Sequence, residues 1–132
     1  MTPFDWVTAR SECSIIRFFD LLRERVDSDV RKVSGLNKPG IVFRFDADIA
    51  PEKFMVSRER DLGGFKEQLS IVFERHEGKI SARRRAAQIN EILFDGIPTM
   101  NEEGECVFVI DKVPMRIWQV SPKALEELFF SH

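Results

Sequence analysis

The apolar positions of this chain change period several times, and each change marks a new element. Between residues 11 and 36, Ile15, Phe19, Leu22, Val26, Val30 and Val33 recur every three or four residues, and Phe18 widens the stripe. That spacing predicts an α-helix with one apolar face, opposite Arg17, Asp20, Glu24, Asp27, Ser28 and Arg31. Gly35 is placed to end it in a left-handed turn, and Pro39 blocks its resumption. Ahead of it, Thr2-Pro3-Phe4-Asp5 reads as a helix start. A break near Ser11 would set a short helix before the long one, with one continuous helix as the alternative.

Past the turn cluster at residues 37–40 the period becomes two. Phe43, Phe45, Ala47 and Ile49 alternate with Val42, Arg44, Asp46 and Asp48, a half-buried strand. Phe54, Val56 and Arg58 alternate with Met55, Ser57 and Glu59 in a second strand, which Gly63-Gly64 ends. Leu69, Ile71 and Phe73 mark a third, followed by a hairpin turn at Glu77-Gly78. Pairing across that turn sets Ala82 opposite Phe73 and Arg84 opposite Ile71. A lone charge on the core face is costly, so either the fourth strand stops near Arg83 or Ser81 caps a helix instead. Ala86, Ile89, Ile92 and Leu93 then suggest a helix over residues 86–95, with Gly96 as its cap.

Cys106-Val107-Phe108-Val109-Ile110 is apolar on both faces, the pattern of a strand covered on both sides. Asp111-Lys112 turns the chain into a strand at residues 113–120, which Pro114 pushes toward a sheet edge. Ser121-Pro122 reads as the start of a short final helix carrying Ala124, Leu125, Leu128 and Phe129. The expected fold is one α+β domain over residues 1–132. Its sheet is mostly antiparallel with five or six strands, and the long N-terminal helix crosses one face.

Composition adjusts this picture in a few places. At 132 residues, with 43% hydrophobic and 32% charged side chains, the chain can build a core without staples. Its twelve Phe and absence of Tyr mean rings with no polar handle, which belong inside or in a dry interface. Cys13, on the polar side of the helix, and Cys106 are expected as free thiols in a reducing cytosol. No apolar run is long enough for a membrane span, and residues 1–10 are too polar for a signal peptide, so the expected location is cytoplasmic.

Candidate chemistry is sparse. His76 and Glu74 share a strand face, but a solvated hairpin histidine explains them, and His132 ends the chain. Asp46 and Asp48 point the same way without the third carboxylate a cation would need. Cys13 and Cys106 lack zinc-ligand neighbours, and Gly63-Gly64 lacks the residues of a phosphate loop. No catalytic group, metal site or cofactor is expected. Lys79, Arg83, Arg84 and Arg85 form a basic run suited to an anion or to nucleic acid. The net charge of −2 and pI near 5.8 argue against nucleic acid as a partner.

The apolar surplus is the stronger signal. With one face of the 107–120 hairpin on the helix, the other would leave Phe108, Ile110, Pro114, Arg116, Trp118 and Val120 as a protein interface. The expected function is a non-enzymatic protein-binding module that forms a homodimer and holds a further protein. The order of elements resembles that of small chaperone domains that dimerise and hold secreted partners. That resemblance would place a partner on Phe43, Phe45 and the first helix. Two other readings remain. One is a small-ligand-binding domain or an enzyme with a pocket between sheet and long helix, around Arg44, Arg84 or His76. The other is an inhibitor or immunity-type protein that contacts its target through the acidic loop 101–105.

Overall fold

The computed structural model describes residues 5–36 and 38–131, so the expected roles of Thr2, Pro3, Asn37 and His132 fall outside the described residues. Two helices open the chain, α1 (Trp6–Glu12) and α2 (Ile15–Ser34). The break comes at Cys13-Ser14, slightly later than expected. Asp5 caps α1, accepting from the Thr8 amide at 3.1 Å and the Thr8 hydroxyl at 2.7 Å. The hydroxyl first, then the amide, hold the Asp5 carboxyl below the usual carboxylate range. Ser14 caps α2 by accepting from the Arg17 amide. Gly35 closes α2 in the right-handed region with φ −69°, so the expected left-handed cap is not used.

The sheet is an antiparallel meander of seven strands in chain order, wider than the five or six expected. They are β1 (Ile41–Ala50), β2 (Lys53–Asp61), β3 (Lys66–His76), β4 (Lys79–Ala86), β5 (Ile89–Met100), β6 (Cys106–Ile110) and β7 (Val113–Met115). The chain then forms α3 (Ile117–Phe130). Helices α2 and α3 pack side by side on one face, here called inner. Phe43, Phe54, Val56, Ile71, Phe73, Ile80, Ala82, Phe94, Phe108 and Ile110 face them. Ring contacts such as Phe19 on Phe54 at 5.0 Å and Phe18 on Phe108 at 5.1 Å join the layers.

The extra strand replaces the helix expected over residues 86–95. A bulge between Ala82 and Arg83 shifts the β4–β5 register, so that Leu93 and Phe94 both reach the core. That local loss of alternation imitates helical spacing. Gly96 is no cap either. It pairs with Ile80 in mid-sheet, and a Cβ there would come within 2.6 Å of the Phe108 ring and 2.7 Å of Val109 O.

Arg84 does sit opposite Ile71, yet β4 continues through it. Its Nε lies 2.9 Å from Glu91 Oε1 and its Nη1 donates to Glu127 Oε1 at 3.0 Å. The charge on the core face is thus partnered from β5 and α3. The last helix also begins a turn early. Arg116 is its N-cap residue, with its amide donating to Gln119 Oε1 at 2.8 Å, and Pro122 lies inside the helix. Ser121 is a tie rather than a cap, its hydroxyl donating to Asp29 Oδ2 of α2 at 2.7 Å.

Cys13 is buried and forms a disulfide with Cys106, which corrects the expectation of two free thiols. The bond fixes the α1–α2 junction to the first residue of β6. Among the described residues no helix is long and apolar enough to cross a membrane.

Candidate functional site

The two sheet faces differ sharply. The inner one is filled by α2 and α3, whereas the outer one carries only strand side chains, which register places in rows. One row runs Arg44, Ser57, Ser70, Arg85, Asn90 across β1 to β5. The next runs Asp46, Met55, Val72, Arg83, Ile92. Near the other end of the sheet, Ile97, Val109 and Pro114 form an apolar row across β5, β6 and β7.

This arrangement splits the expected interface residues. Phe108 (0% exposed) and Ile110 (3%) lie beneath the chain's own helices and Val120 (0%) points into the core from α3, so a second chain could reach them only by opening the core. Trp118, on α3 rather than on a strand, is 55% exposed. Pro114 is exposed on edge strand β7, and Arg116 is exposed with its guanidinium on Glu105. Val109, half-buried, and Ile97, at 53%, complete the uncovered row. Sequence reasoning passed over Ile97 because it assigned the preceding residues to a helix. Once β5 is a strand, the odd positions after Gly96 face outward.

The basic run is divided as well. Lys79, Arg83 and Arg85 project to the outer face and Arg84 to the inner one. Lys79 lies 3.5 Å from Asp95, and Arg84 is engaged by Glu91 and Glu127. Among the described residues neither Arg83 nor Arg85 has a carboxylate at ion-pair distance.

Between α2 and β1 lies a cavity of about 270 Å³ walled by Val33, Ser34, Lys38, Ile41, Val42 and Phe43, and none of Arg44, Arg84 and His76 lines it. Arg84 borders only a cleft of about 50 Å³ between β3, β5 and α3, room for a water or two. Arg44 pairs loosely with Glu59 at 3.8 Å on the outer face. His76 Nε2 is 3.5 Å from the Ser81 hydroxyl, while Glu74 turns to Lys53, so no dyad forms. Among the described residues no three metal-ligating side chains converge, and the Asp46 carboxylate accepts from the Asp48 amide. In the 101–105 loop, the Asn101 side chain accepts from the Glu103 and Glu105 amides.

A larger apolar groove of about 360 Å³ runs between α2 and α3, walled by Val33, Leu36, Leu125, Phe129 and Phe130. Lys38 donates to Phe129 O at 2.8 Å, with its ammonium 4.5 Å from the Phe130 ring centre. Below it, Arg58 is 5% exposed and donates to Leu128 O and the Ser131 hydroxyl, both at 2.9 Å, and to Glu67 at 3.2 Å. Burial pushes its guanidinium below the ordinary value, Arg60 adds to that, and Glu67 opposes it. Sequence reasoning read Arg58 as part of a strand pattern and as a neighbour of the basic run, not as a partner of the α3 carbonyls.

Taken together, these features define an α+β domain in which a meander carries its helices on one face and leaves the other open. Compared with protein-family models, curated proteins and solved structures, the chain matches none.

Proposed function

We propose that this protein is a non-enzymatic binding module whose first partner is a second copy of itself, joined through the outer face of β5, β6 and β7. The observation that carries this reading is the uncovered Ile97–Val109–Pro114 row across β5, β6 and β7. Apolar side chains contiguous across three strands are a common mark of an interface.

A second copy suits the surface better than a partner of one dominant charge. The Lys79–Asp95 and Arg116–Glu105 pairs and the Asp111-Lys112 turn put both signs around the row. A two-fold contact brings a patch against itself, and a mixed rim can then complement itself. Strand addition is a poorer route. Pro114 blunts the β7 edge, while a register irregularity and two aspartates guard β1. The docking is therefore face to face. Holding a further protein is a separate role, and the element order that resembled small dimeric chaperone domains does not support it, because β5 runs where that order needs a helix.

The Cys13–Cys106 bond supports residence in an oxidising compartment over the reducing cytosol. Light scattering on a size-exclusion column tests the association. The wild-type chain should run at about twice its 15.3 kDa mass, and Ile97→Glu should run as a folded monomer. A wild-type monomer at every concentration would remove the reading.

A further inference from the structure

The outer face carries a second feature, remote in register from the apolar row and of opposite character. A concavity of about 440 Å³ opens over β2, β3 and the β4–β5 turn. Lys66, Gln68, Ser70 and Arg85 supply its polar wall, and Met55 and Ala86 its apolar one. Lys66 is held by Glu59 at 3.1 Å, which leaves Arg85 as the uncompensated charge. The register neighbours of Arg85 are Ser70 and Asn90, both neutral. Ser70 is itself buried, with its hydroxyl 3.1 Å from that of Ser57, so the floor is fixed before anything binds.

We propose that this concavity binds a small molecule with an oxyanion head and a flat apolar body. The head, a phosphate ester or a carboxylate, lies on the Arg85 guanidinium with the Gln68 amide and Ser70 hydroxyl beside it. Arg presents paired donors that match either group. The body rests on Met55 and Ala86. Arg83, one row away on the same face, adds long-range attraction for the head.

The surroundings favour a small ligand over a polyanion. Asp46, Asp48, Glu59 and Asp61 occupy β1 and the neighbouring part of β2, so an extended phosphate backbone would meet carboxylates within a few residues of the site. The volume lies in the range of small-molecule pockets.

The test is a titration of the full-length, ¹⁵N-labelled protein with phenyl phosphate and, separately, benzoate, followed through backbone amide shifts. At least one should move the amides of residues 68–70 and 85–87 saturably, and the comparison identifies the preferred head. Inorganic phosphate, lacking the apolar body, should bind more weakly at the same amides. Arg85→Gln should weaken binding about tenfold, the size of one charge-assisted contact. Arg85→Lys should fall between, and Arg17→Gln, on the solvent side of α2, should change nothing. The same shifts are expected in the Ile97→Glu monomer, so the result does not depend on self-association. No saturable shift with either compound, or equal binding by a folded Arg85→Gln variant, would overturn the proposal.

Discussion

Arg58 and Arg84 are both charges on a core-facing position, and both are tolerated because distant elements partner them. Arg58 reaches the last turn of α3, where carbonyls without helical partners carry the negative end of the dipole. Arg84 bridges β5 and α3 through Glu91 and Glu127. The rule that a buried charge must be paired was sound, but the sequence places Glu127 forty-three residues from Arg84, beyond any local pattern. Arg58→Ala should lower stability by about 2–3 kcal/mol in urea unfolding, less than for a fully buried pair because Glu67 stays partly hydrated. Arg58→Lys should recover only part of that, since a single ammonium cannot address Leu128 O and Ser131 on one side and Glu67 on the other as the Nη1–Nη2 fork does.

At the scale of elements, periodicity served wherever it stayed regular. The α2 stripe, the alternation in β1 to β3 and the turns at Glu77-Gly78 and Asp111-Lys112 were all legible, and both turns use positive φ as hairpins of that length require. Failure came where a bulge interrupted alternation in β5 and where Ser121-Pro122 carried the chemistry of a helix start inside a helix already begun. Gly96 belongs to the same lesson. Glycine marks several backbone needs, and here it makes room for the Phe108 ring. Gly96→Ala should cost about 2 kcal/mol by overpacking, since Val109 O is backbone and cannot turn aside. A shift in the thermal midpoint with unchanged circular dichroism at low temperature would express that cost.

For the whole molecule, the disulfide and the open face are the features that local reading could not supply. Cys13 and Cys106 are ninety-three residues apart, and only the fold brings their Cα atoms to 5.3 Å. Replacing both by Ser should lower stability by about 3–5 kcal/mol, as expected for so long a closed loop, and thiol titration of the denatured, unreduced wild type should find no free thiol. The apolar surplus was visible in composition, yet its location was not. Phe108 and Ile110 were absorbed by the core beneath the helices, Val120 entered it from α3 itself, and the exposed excess stayed at Pro114 and Trp118 and extended to Ile97 and Val109. Which apolar residues remain outside depends on where every helix lies, so an error in one element displaced the interface.

Hydroxyl-radical footprinting of the concentrated native protein, with the Ile97→Glu variant as the monomer reference, tests that surface most directly. Labelling at Val109 and Pro114 should fall in the wild type relative to the variant, while Phe65, on the far loop, should label equally in both. Equal labelling of Val109 and Pro114 in the two proteins would contradict the account.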